Sequence, residues 1–345
     1  MYATSLVFAI WRTFRCRPMQ LGVIILVIIT GIVACEPLAP EPDSQVVVVI
    51  TNTPTLVDTP TPTPLLPTAL PTRILPTEAP TVMLSPTATV PPCNETEGRL
   101  IDGTIESAIT EEPVPYRLYL PPCFFVSGRR YPYTILLHGS SYDYTQWTEE
   151  LGVATFMDDV LAEKGDIAPM VLVMPEGGVP QELNAFDSGQ SFEDVILNEL
   201  IPQLEAEFCL WAAPEGRAIG GISRGGFWAF SIALRHPEQF AAVGGHSPFF
   251  VEDNAPAAYN PLNLANTLLP TTPLRIYLDH ARGDAGEPGA SALSTTLRNR
   301  NIVHIYDVNV TGGHNNDYWS SQLRDYLEFY SASWPKDIAA LPTCF

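Results

Sequence analysis

Ser223 stands at the centre of Gly221-Ile222-Ser223-Arg224-Gly225. A short apolar run, Ala218-Ile219-Gly220, leads into it, and an apolar helical pattern starts at Phe227. A strand that turns sharply into a helix through Gly-x-Ser-x-Gly forms a nucleophile elbow, which presents the serine hydroxyl to a carbonyl carbon. The turn needs residues without bulk on either side, because the chain reverses tightly and holds the nucleophile's backbone under strain. The pentapeptide is weak evidence by itself. A serine hydroxyl becomes a nucleophile only when a base takes its proton and a third group holds that base. The base expected here is His314, in Thr311-Gly312-Gly313-His314, an exposed tip behind two glycines that offers little packing for a structural histidine. The acid expected is Asp284, in the loop Arg282-Gly283-Asp284, with Asp279 at the preceding strand end as its alternative. His280 precedes the acid and has no loop of its own, so it does not compete for the base role.

Acyl transfer also needs two donors aimed at the developing oxyanion. One is the backbone N–H of Arg224, directly after the nucleophile. The second is expected from the loop His138-Gly139-Ser140-Ser141, with the backbone of Ser140 preferred over that of Ser141 and His138 holding the loop. Trp147, Phe186 and Trp319 are candidates to stack on an aromatic acyl group or a sugar. Glu199 is expected to orient a neighbouring loop, His236 to end a helix, and His304 to be packed. There is no His-Glu-x-x-His, phosphate-cradling loop or dinucleotide fingerprint, so no metal and no cofactor is implied.

The elements that must position these residues begin at Cys93. Stretches 97–107 and 115–120 alternate apolar with polar, as half-buried antiparallel strands do. Stretches 133–138 and 169–174 are continuous apolar runs, as in strands covered on both faces. Further strands are expected near 240–244, 274–278 and 302–310, and helices at 152–163, 191–208, 227–235 and 318–330. This alternation predicts an α/β fold: a mostly parallel central sheet opening on an antiparallel strand pair, with helices on both faces. The irregular stretch 247–272 is read as a wall over the pocket.

The chain has 345 residues, 34 of them proline, and a formal charge of −20. An acidic body repels phosphate backbones, which argues against nucleic-acid partners. Residues 1–34 carry Arg12, Arg15 and Arg17 and no acid, then an apolar run from Leu21 to Ala34. A basic region before a short apolar core reads as an export signal, too short for a mature membrane span. The run ends in Ile32-Val33-Ala34-Cys35, which resembles a bacterial lipobox. That resemblance implies a lipid on Cys35 and a membrane-anchored protein at the cell surface or in the periplasm, with plain secretion as the alternative. In residues 35–92, Thr-Pro pairs recur, for example Thr59-Pro60-Thr61-Pro62-Thr63-Pro64. Proline removes donors and fixes φ, so this is read as a disordered, extended stalk. Residues 93–345 are read as the third segment, the domain that carries the candidate residues above. Its cysteines, Cys93, Cys123, Cys209 and Cys344, permit two disulfides in any of three pairings.

Several further motifs accompany the elbow, and the Glu-Leu-Ile-Pro segment and the Gly-x-His-x-x-x-Tyr-Trp end among them are together far more discriminating than the elbow itself. The motifs are Tyr131-Pro132-Tyr133-Thr134-Ile135-Leu136-Leu137-His138-Gly139, Pro175-Glu176-Gly177-Gly178 and Phe192-Glu193-Asp194 with Asn198-Glu199-Leu200-Ile201-Pro202. Gly312-Gly313-His314 with Tyr318-Trp319 closes the set. Over roughly 98–332 the chain resembles the putative esterase (esterase D-like) family of α/β-hydrolases, which includes feruloyl and enterochelin esterases, S-formylglutathione hydrolases and mycolyltransferases. The resemblance implies an α/β-hydrolase fold and a triad of Ser223, Asp284 and His314. It implies a serine esterase acting on a small-molecule or polysaccharide-linked ester; the alternatives are an acyltransferase to a carbohydrate and a non-catalytic binding module. Arg224 and His246-Ser247-Pro248 depart from the family pattern and leave the substrate open.

Overall fold

The computed structural model describes residues 92–183, 185, 186, 189–250 and 255–344, together with the backbone of a strand at Gln45–Val48. The expected signal, Cys35 and the rest of the stalk lie outside the described residues. Nine strands form one sheet: β1 Gln45–Val48, β2 Arg99–Glu106, β3 Pro113–Leu120, β4 Tyr133–Leu137, β5 Val171–Pro175, β6 Arg217–Ile222, β7 Ala242–His246, β8 Arg275–Ala281 and β9 Ile305–Asn309. Their order is β1-β9-β8-β7-β6-β4-β5-β3-β2. Strands β5, β4, β6, β7, β8 and β9 run parallel, and the apolar runs of β4 and β5 are buried along their whole length. The β2–β3 pair is antiparallel, with alternating burial along β2. Within the expected stalk, β1 pairs antiparallel with β9, Val46 opposite Asp307.

Alternate side chains of the central strands feed two separate apolar clusters, one per face. Tyr133, Ile135 and Leu137 of β4 join one cluster and Leu136 the other; Val171 and Val173 of β5 part from Leu172 and Met174 in the same way. On the first face lie the helical stretch 192–207 and the helices Arg224–Arg235 and Glu287–Asn299. On the second lie Val153–Ala162, Asn316–Ser321 and Leu323–Ser331.

Two helical stretches differ from the sequence expectation. The helix Glu287–Asn299 has no counterpart in it, because its opening Pro288-Gly289 and its serines and threonines are poor helix signals. It forms because Ala290, Leu293, Ser294 and Leu297 make one buried face against the sheet. The last helix is broken at Gln322, which leaves Tyr318 and Trp319 on a short helix of their own beside His314. Two disulfides, Cys93–Cys123 and Cys209–Cys344, select one of the three pairings. The second ties the C-terminal segment to the stretch between 207 and β6.

Candidate active site

Strand β6 ends at Ile222, and Ser223 turns the chain into the helix Arg224–Arg235 with φ 54° and ψ −112°. Few residues other than glycine adopt such a backbone, so the turn is strained and is held from several sides. The Ser223 N–H donates to the His246 carbonyl at 3.0 Å, and the Ser223 carbonyl accepts from Phe227 and Phe249 N–H groups. The glycines around it are steric necessities. A Cβ on Gly221 would lie 2.3 Å from the Gly225 backbone, and one on Gly225 would lie 2.4 Å from the Leu137 carbonyl oxygen.

Three residues from three loops converge at this corner. His314 Nε2 lies 2.9 Å from Ser223 Oγ, and His314 Nδ1 lies 2.9 Å from Asp284 Oδ1. The His314 side chain is 29% exposed, while the Asp284 side chain is fully buried. Burial pushes the Asp284 carboxyl up, but hydrogen bonds from His314 and from the Gly286 N–H, 2.6 Å away, outweigh it and hold its pKa below the usual carboxylate range. Asp279, the alternative acid, takes no part in this cluster. It lies inside β8, fully buried, and bonds His246 Nδ1 at 2.8 Å.

Behind the elbow, the loop after β4 is built around its backbone. Gly139 N–H donates to the buried Gln146 Oε1 at 2.8 Å and is therefore occupied. Ser140 N–H has no acceptor among the described residues and stays available beside the elbow. Arg224 Nε donates to Ser140 Oγ at 2.9 Å, which binds the two loops carrying the expected oxyanion donors. His138 is fully packed: its Nδ1–H donates to the Gly139 carbonyl, and its Nε2 accepts from Gly177 N–H at 2.9 Å. It holds the loop and has no route to the serine.

Gln146 was not singled out by its sequence. It is 1% exposed, and its Nε2 donates to Asn316 Oδ1 at 2.9 Å. One side chain thus ties the loop after β4 to the loop that carries His314. A lone glutamine before a tryptophan carries no signal of that role. Glu199 accepts from Ser107 Oγ at 2.6 Å and from Ala108 N–H at 2.9 Å, and so orients the β2–β3 turn.

The aromatic candidates separate. Trp147 is 1% exposed and donates Nε1–H to the Leu137 carbonyl, so it is a core residue with no surface to offer a substrate. Trp319 is 3% exposed and meets the His314 ring edge-on, centroids 5.1 Å apart. It therefore packs the base from behind. Phe186 is partly buried against Phe227, Trp228 and Tyr259.

The chain is similar to an esterase of Mycobacterium tuberculosis (strain ATCC 25618 / H37Rv), 31% identical over 159 residues that cover 45% of this chain and 33% of that protein. It is also similar to an endo-1,4-beta-xylanase/feruloyl esterase of Xylanibacter ruminicola, 32% identical over 158 residues that cover 43% of this chain and 21% of the other. The chain thus spans a third or less of the length of these relatives. Among solved structures, a ferulic acid esterase superposes with a TM-score of 0.62 at 22% identity, covering 69% of this chain and 99% of its own. An S-formylglutathione hydrolase from Agrobacterium tumefaciens superposes with a TM-score of 0.58 at 15% identity, covering 70% and 98%. These likenesses establish the α/β-hydrolase fold. Residues 107–330 match the family model described as putative esterase, and the chain belongs to that family.

Proposed function

We propose that the chain is a serine carboxylic-ester hydrolase that works through an acyl-enzyme, outside the cytoplasm, at the end of a lipid-anchored stalk. The observation that carries this reading is the unbroken line from Ser223 Oγ through the His314 ring to Asp284 Oδ1. His314 Nε2 takes the serine proton as Oγ attacks the ester carbonyl, and Asp284 fixes the ring with Nδ1 protonated. The oxyanion forms beside the N–H groups of Arg224 and Ser140, at the positive end of the elbow helix. Collapse expels the alcohol, to which His314 returns the proton. An acyl ester remains on Ser223. Water then enters, His314 removes its proton, and a second tetrahedral intermediate releases the acid. The relatives' names support an ester carried on a small molecule or a polysaccharide as the substrate.

Wild type should be labelled on Ser223 by a fluorophosphonate and should hydrolyse at least one of a panel of p-nitrophenyl and feruloyl esters. Ser223→Ala should lose the label and about 10⁴-fold or more in kcat. Activity that survives the substitution sinks the mechanism. Two disulfides support folding in an oxidising compartment. The Ile32-Val33-Ala34-Cys35 stretch supports lipidation at Cys35. Labelled fatty acid should enter the wild-type protein in a bacterial host and be absent from Cys35→Ser; equal labelling of both removes the anchor.

A further inference from the structure

Asp284 is served unevenly. Its Oδ1 receives two donors, His314 Nδ1 at 2.9 Å and Gly286 N–H at 2.6 Å. Its Oδ2 is buried and has no donor among the described residues. A carboxylate oxygen left bare in a protein interior costs roughly 1–3 kcal/mol, more when charged.

The hydroxyl of Ser247 is the matching half. Ser247 is fully buried and sits at φ 47°, a backbone that a serine rarely adopts. Its N–H donates to the Asp279 carbonyl at 2.8 Å, which fixes the turn after β7. Its Oγ accepts from Trp319 Nε1–H at 3.0 Å, which leaves its own hydrogen to donate elsewhere. The turn packs directly on the acid's loop, since a Cβ on Gly286 would lie 2.9 Å from the Ser247 carbonyl oxygen. Burial pushes the Asp284 carboxyl up, and the Ser247 hydroxyl adds to the larger lowering by His314 and Gly286 that holds it below its ordinary pKa. The unpartnered oxygen of Asp284 and the buried hydroxyl of Ser247 thus belong to two turns packed on one another.

We propose that Ser247 is a positioning residue for the triad: its hydroxyl, held by Trp319 Nε1–H, donates to Asp284 Oδ2 and locks the carboxylate that orients His314. Trp319 then acts on the base twice, through its ring edge on His314 and through Ser247 on Asp284. The inference rests on the assignment of Ser223, His314 and Asp284 as the triad, and its test keeps the two apart.

Steady-state hydrolysis of a p-nitrophenyl ester is measured for wild type, Ser223→Ala, Ser247→Ala, Ser247→Cys and Trp319→Phe. Ser247→Ala should lower kcat about 10-fold, the worth of one hydrogen bond to a charged group, with KM within about twofold. Ser247→Cys, which keeps a weak donor, should recover part of the loss. Combining Ser247→Ala with Trp319→Phe should cost less than the sum of the two single losses, because part of the effect of Trp319 passes through Ser247. If alanine does not fold at this backbone, Ser247→Gly suits the positive φ and reads the same loss. Wild-type kcat in a folded hydroxyl-less variant overturns the proposal, as does a loss that appears in KM or is independent of Trp319. In either case an inactive Ser223→Ala leaves the triad standing, whereas an active one brings down both.

Discussion

Among the described residues, two histidine–aspartate pairs share nearly the same hydrogen bond and differ in all that surrounds it. His314 and Asp284 meet at 2.9 Å, His246 and Asp279 at 2.8 Å. What differs is the far side of each ring. His314 Nε2 faces Ser223 Oγ at the protein surface, and the ring is 29% exposed. His246 Nε2 faces Tyr330 OH at 2.8 Å, its ring stacks on Tyr326, and it has no exposure at all. Asp279 Oδ2 accepts from both Tyr318 and Tyr326 hydroxyls at 2.8 Å. Burial, with the nearby Asp279 adding to it, raises the pKa of both tyrosines well above the ordinary value, so they remain donors. A histidine–aspartate pair is therefore no sign of catalysis until its second nitrogen has a reactive partner within reach of substrate. The buried pair serves as a brace: it fixes β7 to β8 and the last helices, just under the turn at Ser247.

That contrast is broken most directly by removing one member of each pair. His314→Ala should lower kcat by about 10⁴-fold or more with a smaller fall in melting temperature than the buried pair shows, since the ring is partly exposed and Asp284 keeps its Gly286 donor. Asp279→Ala should do the reverse. It strands His246 Nδ1–H and two tyrosine hydroxyls in the core, and loss of one partner of a buried pair costs about 3–5 kcal/mol. The melting temperature should then fall by roughly 10 °C, while kcat per folded molecule changes less than about 10-fold. A stable but inactive Asp279→Ala protein would move the brace into the chemistry and end the distinction.

The sequence carried the surface pair and hid the buried one for a physical reason. Ser223, Asp284 and His314 each follow a strand-like run and lie among glycines, so loop chemistry and chain order are legible locally. His246 and Asp279 are register partners on the neighbouring parallel strands β7 and β8. Register between parallel strands is set by the packing of both faces and leaves no local mark. Asp279 could thus be noted as an alternative acid, and His246 only as a departure from a family pattern. Gln146 stayed hidden in the same way, because its partners Gly139 and Asn316 are 7 and 170 positions away. The sheet was legible because its strands are apolar runs. The helix Glu287–Asn299 was not, because tertiary burial of one face overrides a weak propensity.

A third aspartate sharpens the comparison at the smallest scale. Asp307 on β9 is 9% exposed, and its Oδ1 has no hydrogen-bond partner among the described residues. Burial raises its pKa, and the nearby Asp279 and Asp325 raise it further. Asp284 lies on the other side of the ordinary value. The two carboxyls therefore act on stability with opposite sign. Asp284, depressed in the folded state, contributes stability above its unfolded pKa that is lost as pH falls through its folded pKa. Asp307, elevated, burdens the fold at neutral pH, and the burden lifts as pH falls through its raised pKa and the carboxyl protonates. Asp307→Asn should accordingly stabilise the protein by about 1 kcal/mol at pH 7, the scale of one relieved buried group. That is a rise of roughly 3 °C in melting temperature. The gain should shrink toward zero as the pH is lowered to about 4, where an ordinary aspartate has itself begun to protonate. Melting curves across that range check both size and sign. A gain that grows on acidification would mean that the charge on Asp307 is paired after all.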